Sequence, residues 1–387
     1  PRSTPKPSSA ASDVYKRQGS TGSGDYNKAW LIKTDSQGNE HWNQTFGGGN
    51  YDRGNSVQQT NDGGYIITGE ISSSGNGSSD VLLIKTDHNG NKEWKRTFGG
   101  GDYDRGYSVQ QTRDSGFIIA GSTRSNGDSH DDLWLIKVDF QGNQEWNRTF
   151  GGGFIDIGHC VYETNDNGYV ITGYTQSYGN GSRDLWLIKT DSQGNEDWNR
   201  TFGDSFVDFG KSVQQTIDGG YIITGEISSS EHGSSDIWLI KTDSEGQEEW
   251  NQTFDGNDRD YGKSVQQTVD GGYVITGSTG SDYYYDVWLI KTDSKGTEEW
   301  NQTFGGDNKD YGHSVQQTID GGYIITGEIS SSGNGSSDVL LIKTDQQGQE
   351  EWIQTFGGGY IDIGNSIKQT SDNGYIITGY TQHKRKV

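Results

Sequence analysis

A repeat of about 52 residues, present seven times, constrains the fold of this chain more than any single motif. Each copy contains Ile-Lys-Thr-Asp, with Val in place of Thr in the third copy. A fixed period of this length indicates one supersecondary unit stacked on copies of itself. Near-identical copies do not supply the single asymmetric constellation that catalysis requires, so the repeat predicts a scaffold. The marker lysines are Lys33, Lys85, Lys137, Lys189, Lys241, Lys291 and Lys343.

Composition taken alone would suggest disorder, because only 28% of the residues are hydrophobic and the net charge is −23. The repeat argues against this. The 12 Trp and 21 Tyr stand at repeating positions, and each large aromatic ring removes roughly 150 to 250 Å² from water when it is buried. Sixty Gly against three Pro indicate many glycine turns, and therefore many short strands.

The charge and hydropathy patterns exclude several classes of partner. An acidic chain repels the phosphates of nucleic acid, so we expect no nucleic-acid binding. No apolar stretch approaches the roughly 18 residues of a membrane-spanning helix, so we expect no membrane insertion. The single cysteine, Cys160, stands where other copies have Ser, as at Ser56, which predicts a small packing residue and no disulfide within the chain.

The two ends of the chain do not follow the repeat. Residues 1–18 match no copy, and we expect them to be disordered or an artefact of sequence assembly. The repeat begins part-way through a copy at residue 19 and continues to residue 382. Residues 383–387 form a second segment outside it. We therefore predict one domain over residues 19–382.

Each copy reads as four strands, as the stretch 52–98 illustrates. Strands are predicted at 56–60, 65–69, 81–85 and 94–98, and the Asn-Asp-Gly-Gly sequence at 61–64 is typical of a tight hairpin. The second and third strands are apolar at consecutive positions, which indicates a sheet covered on both faces. The fourth alternates between apolar and polar residues. Four antiparallel strands of this kind are typical of a propeller blade.

Two family patterns resemble the repeat. Gly-Tyr-Ile-Ile-Thr-Gly and Leu-Ile-Lys-Thr-Asp-Ser-Gln-Gly-Asn-Glu resemble the blades of quinoprotein-type propellers. Lys-x-Asp-x-x-Gly-x-x-x-Trp and Phe-Gly-Gly-x-x-x-Asp-x-Gly are closer to the bacterial and archaeal surface β-propeller repeat family. The resemblance covers residues 19–382. It implies an all-β, seven-bladed propeller of four-stranded antiparallel blades, in which 25–46 and 362–380 form one composite blade.

The same resemblance implies a role. Members of such families are mostly uncharacterised surface modules. We therefore expect a monomeric, secreted or cell-surface protein that acts as a non-catalytic binding or adhesion scaffold. The alternative is a quinoprotein-like oxidoreductase, but such enzymes present a vicinal cysteine pair, and this chain has one cysteine. We therefore expect no enzyme activity and no cofactor other than calcium.

Other site signatures are weak. The Gly-Lys-Ser sequences at 210–212 and 262–264 lack the upstream glycine of a phosphate loop, and a strand follows where a helix is required. Of the seven histidines, only His159 and His313 share a repeat position, which makes a zinc site improbable.

A carboxylate recurs before every inner strand, and we expect these acids to circle one mouth of the central channel. Asp102, Asp104, Asp258 and Asp260 could then hold calcium through oxygen ligands. The alternative is that each Asp caps its own loop by accepting backbone N–H bonds. The recurring acids are Asp52, Asp104, Asp156, Asp208, Asp260, Asp310 and Asp362.

Loops on that same face vary most between copies, and variation over a fixed scaffold is typical of a binding face. We predict a protein or carbohydrate ligand there, while drift among duplicated copies remains the alternative. The candidate contact residues are Arg53, Arg105, Tyr261, Tyr311 and Tyr284.

Asn-x-Ser/Thr sequons recur as well, and five of them lie in the predicted outer strand. They fit either glycosylation or plain polar residues on an edge strand. The sequon residues are Asn43, Asn76, Asn147, Asn180, Asn199, Asn251, Asn301 and Asn334.

Overall fold

The computed structural model describes residues 25–48, 51–72, 78–125, 130–228, 234–256, 259–281, 284–330 and 336–384. Within these residues the regular elements are all strands, and they form seven four-stranded antiparallel sheets. No helix among them is long and apolar enough to cross a membrane. The arrangement confirms the predicted seven-bladed β-propeller.

The strands follow one another in chain order as β1 (Asp25–Thr34), β2 (Glu40–Phe46), β3 (Arg53–Gln59), β4 (Tyr65–Ser72), β5 (Ser79–Thr86), β6 (Lys92–Phe98), β7 (Asp104–Gln111), β8 (Phe117–Thr123), β9 (Asp132–Val138), β10 (Gln144–Phe150), β11 (Asp156–Glu163), β12 (Tyr169–Thr175), β13 (Asp184–Thr190), β14 (Glu196–Phe202), β15 (Phe209–Gln215), β16 (Tyr221–Ser228), β17 (Ser235–Thr242), β18 (Glu248–Phe254), β19 (Arg259–Gln267), β20 (Tyr273–Ser281), β21 (Tyr284–Thr292), β22 (Glu298–Phe304), β23 (Tyr311–Gln317), β24 (Tyr323–Ser330), β25 (Ser337–Thr344), β26 (Glu350–Phe356), β27 (Asp362–Gln369) and β28 (Tyr375–Lys384).

Six blades are consecutive in sequence and one is composite. Blades 1 to 6 are β3–β6, β7–β10, β11–β14, β15–β18, β19–β22 and β23–β26, and blade 7 has the order β2-β1-β28-β27. Strand β1 pairs with β28 from Asp25 opposite Lys384 to Thr34 opposite Tyr375. The composite blade is therefore confirmed, and its strand β28 continues two residues beyond the last repeat position. Closure of this kind removes free sheet edges between the chain ends.

The first strand of each blade lies innermost, as predicted. Neighbouring inner strands contact one another around the ring and enclose a cavity of about 210 Å³ lined mainly by Ser, Val and Gln side chains. The backbone N–H of Val109 donates to Ser56 Oγ across the blade boundary, and that of Gln111 donates to Gln58 Oε1 at 2.7 Å. Cys160 replaces one of these serines, and its Sγ lies 3.7 Å from the carbonyl oxygen of Val213.

Packing between blades depends on one aromatic contact repeated at every boundary. Trp42 of blade 7 meets Tyr65 of blade 1 edge-on, with ring centroids 5.8 Å apart. The same Trp lies over Gly90, which has φ +78° and where a Cβ would come within 2.5 Å of the indole. The other six pairs are Trp94–Phe117, Trp146–Tyr169, Trp198–Tyr221, Trp250–Tyr273, Trp300–Tyr323 and Trp352–Tyr375.

The marker lysines are buried, with side chains at most 5% exposed. Lys85 Nζ donates to the carbonyl oxygen of Thr86 and pairs with Asp62 of the β3–β4 hairpin and Glu93 of β6. One ammonium thus ties the hairpin and the outer strand of a blade together. Blades 1 to 6 have both carboxylates, whereas Lys33 of blade 7 pairs with Asp372 alone among the described residues, because His41 stands where Glu93 does in blade 1.

We predict that Asp372→Asn destabilises the protein more than Asp270→Asn. Both variants remove the hairpin charge, but Lys291 keeps Glu299 whereas Lys33 keeps no carboxylate. We expect losses of about 2 kcal/mol and about 1 kcal/mol in the free energy of unfolding at pH 7, because an unpaired buried charge costs more than a weakened pair. Denaturant titration measures both values.

The pH dependence provides a control. Burial opposes ionisation of Asp372, but hydrogen bonds from Thr370 and Lys33 outweigh it and lower the pKa of this carboxyl to about 2. A depressed pKa in the folded state contributes stability that is present above the unfolded value near 4 and is lost as the pH falls through about 2. The Asp372→Asn loss should shrink over that range. Equal losses for the two variants at pH 7 would contradict the prediction.

Candidate functional site

The two faces of the propeller are built differently. The lower face carries the hairpin turns, such as 60–64 and 87–91, which repeat one hydrogen-bond pattern around the ring. In the turns between the first and second strands, the fourth residue has positive φ; these residues are Gly63, Ser115, Asn167, Gly219, Gly271, Gly321 and Asn373. The upper face carries the loops between blades, such as 151–155, and the loops that follow the second strand of each blade, such as 176–183. These upper loops contain the variable residues.

The seven recurring carboxylates lie at the upper ends of the inner strands, but they are at most 3% exposed. Asp52 accepts N–H bonds from Gly48 at 2.8 Å and from Ser72 at 3.1 Å. Asp156 accepts from Gly152 N–H and from the hydroxyl groups of Thr175 and Ser177. These hydrogen bonds are the ones expected if each Asp caps its own loop. A ligand-binding role for the ring stays a prediction.

Acids of neighbouring blades approach one another behind these loops. Asp80 of blade 1 and Asp104 of blade 2 both lie against Gly99, where a Cβ would come within 2.5 Å of Asp104 Oδ2. Burial raises the pKa of Asp80, and the charge of Asp104 adds to the effect. Burial also raises the pKa of Asp208 to about 6, reinforced by Asp204 and Asp184 and opposed by N–H bonds from Ser228 and Asp204.

One residue of the calcium hypothesis, Asp260, lies close to two other carboxylates. Asp236, Asp255 and Asp260 each offer an oxygen, and these atoms lie within 4.8 Å of one another. Asp255 replaces the first glycine of Phe-Gly-Gly, a signal that sequence reasoning missed. Calcium takes 6 to 8 oxygen ligands, so three carboxylates would form only part of a site. Asp258 lies outside the described residues, and exposed Asp102 accepts the N–H of Tyr103.

Arg53 and Arg105 meet at the boundary of blades 1 and 2. Their Nε atoms lie 3.6 and 3.3 Å from the two oxygens of Glu70. The two arginines and Glu70 line an upper-face cavity of about 500 Å³, together with Tyr51, Tyr103 and Tyr107. The structure therefore brings two predicted residues together, and it adds Glu70, which sequence reasoning missed.

Tyr261 and Tyr311 are brought together through a third tyrosine. Tyr285 lies with its ring centroid 5.7 Å from Tyr261 and 5.2 Å from Tyr311. Tyr285 is 4% exposed, whereas the adjacent Tyr284 is 56% exposed. Of the predicted tyrosines in this region, Tyr284 thus presents the most accessible ring, and Tyr285 is the packing residue.

A ring of β-bulges surrounds the upper mouth of the channel. In blade 1 the ladder pairs Gly54 with Gly69 and Ser56 with Thr68, which leaves Asn55 as the bulged residue. A bulge re-aims the side chain of its extra residue. The ladder of paired residues begins at Arg53, earlier than the predicted Ser56. A Cβ at Gly69 would overlap the Arg53 carbonyl oxygen. We call Asn55, Tyr107, His159, Lys211, Lys263, His313 and Asn365 the bulge ring.

Four bulge-ring residues join neighbouring blades. Asn55 donates to the Gly106 carbonyl at 2.9 Å, and Asn365 donates to that of Gly54 at 2.8 Å. Nδ1 of His159 lies 2.8 Å from the Gly210 oxygen, and Nδ1 of His313 lies 3.1 Å from the Gly364 oxygen. Burial, with a contribution from Lys263, lowers the pKa of His313 to about 4. These histidines are uncharged structural donors at neutral pH.

The outer-strand sequons have a structural explanation. Asn43 Oδ1 accepts from the indole N–H of Trp30, and the same contact recurs in four other blades. Where Leu replaces Trp, at Leu82 and Leu340, the Asn is replaced by Lys95 and Ile353. Asn thus accompanies Trp in each of the five blades that have Trp at this position. Asn76 and Asn334 lie outside the described residues.

Comparisons with known proteins support the fold. No protein-family model matches this sequence, and no curated protein matches it. The solved Pan2 WD40 domain from Neurospora crassa is 8% identical, with 86% of this chain and 90% of that chain covered and a TM-score of 0.53. A protein of unknown function from Bacteroides caccae is 12% identical, with 73% and 97% covered and a TM-score of 0.46. Chaetomium thermophilum Sqt1, bound to the N-terminus of ribosomal protein L10, is 10% identical, with 82% and 78% covered and a TM-score of 0.49.

At these identities the likeness shows the fold alone. The resemblance to surface propeller repeats and to quinoprotein blades is therefore supported for the fold, a seven-bladed propeller. Membership of either family stays a prediction.

We predict that Asp204→Asn stabilises the protein at neutral pH and not in acid. A pKa raised in the folded state means that the contribution of Asp208 to stability is complete below about pH 4 and is lost as the pH rises through about 6. Removing the Asp204 charge relieves part of that loss. We expect a rise of about 1 to 2 °C in Tm at pH 7.5 and no change at pH 4.5.

Asp307→Asn serves as the control, because Asp307 lies in the corresponding loop of blade 6 and is not among the groups that raise the pKa of Asp310. An equal gain in this variant would contradict the prediction.

Proposed function

We propose that this protein is a non-catalytic binding scaffold and that its upper face holds a protein ligand. The observation that carries the proposal is the placement of exposed aromatic rings. Among the described residues, six of the seven exposed aromatic side chains lie in upper-face loops or at the upper end of a strand, and Phe140 in a lower turn is the seventh. The six are Tyr51, Tyr103, Phe154, Tyr178, Phe206 and Tyr284.

Exposed rings on one face have a physical meaning. Aromatic residues and Arg are enriched at protein interfaces, because they bury large areas with few rotatable bonds. Two of the six, Tyr51 and Tyr103, line the cavity of about 500 Å³ that also contains Arg53 and Arg105. The lower face also has exposed apolar residues, Ile217, Val269 and Ile319, but these are aliphatic and stand on turns of fixed geometry. The upper face therefore has the composition of a recognition surface.

The proposal also covers where the protein is found and whether its ligand is a carbohydrate. Secretion or display at the cell surface rests on the resemblance to surface propeller repeats, since the outer-strand Asn residues already have a role as Trp partners. A carbohydrate ligand is the second candidate, favoured by the exposed rings of Tyr51 and Phe154, which are 57% and 59% accessible. Sugars stack on such rings through their apolar faces.

The test uses substitutions that other blades already carry. Peptides are selected from a phage-displayed random library on the whole protein, and the binding of the selected peptides is then measured on two double variants. Phe154→Asn with Phe206→Asn copies Asn308 of blade 6. We expect this variant to weaken binding by at least about tenfold, because hot-spot aromatic residues each contribute about 2 kcal/mol or more. A glycan array probed in parallel tests the sugar alternative.

The matched control is Ile217→Asn with Val269→Asn, which copies Asn61 and Asn165. It changes two exposed apolar residues to Asn on the opposite face, with no change in charge. Binding within about twofold of the parent is expected, since a ligand on the upper face does not contact these turns. A library that yields no binder, or peptides lost equally in both variants, would count against the proposal.

A further inference from the structure

Lys211, the bulge-ring residue of blade 4, differs from the other cations near the channel mouth. Its ammonium lies 4.4 Å from the centroid of the Phe209 ring. Within the described part of the chain it has no ion pair and no hydrogen-bond acceptor. In contrast, Lys263 donates to Glu226 at 2.8 Å, and Arg53 and Arg105 share Glu70.

Arg183 is a second such cation at the same boundary. It precedes β13 of blade 3, and its guanidinium lies 5.5 Å from the Phe209 ring and 5.2 Å from the Tyr174 ring. It also has no ion pair among the described residues. Phe209 and Tyr174 meet edge-on at 5.0 Å, so two cations without carboxylate partners lie against one aromatic pair.

The surroundings of Lys211 disfavour its charged form. Burial lowers the pKa of Lys211, Glu226 opposes this shift, and the charges of Lys263 and Arg183 add to it, with the result that the pKa falls to about 8. Glu226 already pairs with Lys263. Asp184, Asp204 and Asp208 lie at the same boundary, but among the described residues none of them forms an ion pair with Lys211 or Arg183. A negative group placed here would favour the charged form of Lys211 and would gain from reduced solvent screening.

We propose that an acidic segment of a protein ligand docks here, with a carboxylate at Lys211 and Arg183 and an apolar neighbour against Phe209 and Tyr174. This inference rests on the proposed function and specifies the chemistry of its ligand. A peptide carboxylate fits better than nucleic acid, because the net charge of −23 repels a long polyanion over distances at which a single buried pair is little affected.

The experiment measures fluorescence anisotropy of a labelled peptide of alternating Glu and Tyr, titrated with the whole protein at low ionic strength. The test variant is Arg183→Ser with Lys211→Asn. Ser occupies the corresponding position in blades 1, 4 and 6, and Asn occupies the bulge-ring position at Asn55 and Asn365, where it donates to the next blade. We expect the double variant to keep the parent Tm and to weaken peptide binding by at least about tenfold.

Three controls define the outcome. Lys92→Asn with Lys295→Asn removes two exposed cations from the lower side and should leave the affinity within about twofold. A peptide with Gln in place of Glu should not bind. Inorganic phosphate should compete poorly. An equal loss in the Lys92/Lys295 variant, binding of the Gln peptide, effective competition by phosphate alone, or no binding by the parent would each overturn the proposal.

The result is separable from that of the library selection. Selected peptides that depend on Phe154 and Phe206 but ignore Arg183 and Lys211 would leave the scaffold proposal intact and remove this one. Binding of the acidic peptide, when the library yields no binder, would support docking at Lys211 and Arg183 and would count against the aromatic recognition surface.

Discussion

The buried ammonium of the marker lysine is the interaction on which each blade depends. It joins the inner hairpin to the outer strand through two carboxylates, and it donates to the backbone of its own strand as well. Burying a charge is costly unless the charge is paired and hydrogen-bonded. Because the position is buried in every blade, the hairpin Asp cannot vary freely. Neither can the Gly two residues after it, where a Cβ would come within 2.6 Å of the lysine Nζ. Repetition of the lysine therefore maintains the repetition of the turn.

Between blades, the corresponding constraint is the indole that reaches across to the next sheet. Trp42 contacts both Tyr65 and Gly90 of the neighbouring blade. A side chain at Gly90 would separate the two blades, so the Gly of the second turn is required by packing as well as by its positive φ. A chain with few aliphatic residues can thus hold a large ring together, because each boundary buries a pair of large rings in addition to an aliphatic cluster.

Most of the fold could be predicted from the sequence, because period, alternation and turn chemistry each repeat seven times. The composite blade followed from the complementary chain ends. The Trp–Asn contact was also readable, since Asn43 accompanies Trp30 while Lys95 accompanies Leu82, but it requires comparing copies at two positions together. Side-chain direction could not be read in this way. Asp52 and its counterparts precede the inner strands as expected, yet nothing in their spacing distinguishes a carboxylate facing the channel from one turned into its own loop.

The candidate site also follows from a property of the backbone that the sequence does not display. A bulged residue takes no part in the ladder of paired residues, so its side chain is free of the register constraint that fixes its neighbours. Gly54, Gly69 and Ser56 are held by the bulge itself, whereas Asn55 corresponds to Tyr107 in blade 2 and to Lys211 in blade 4. The same geometry that forces glycine into the second strand therefore releases one position per blade to vary. This position lies at the channel mouth of a protein whose net charge is −23. Local charge at the mouth can consequently differ in sign from the net charge of the chain, and the composition of the whole protein does not indicate which ligands its mouth attracts.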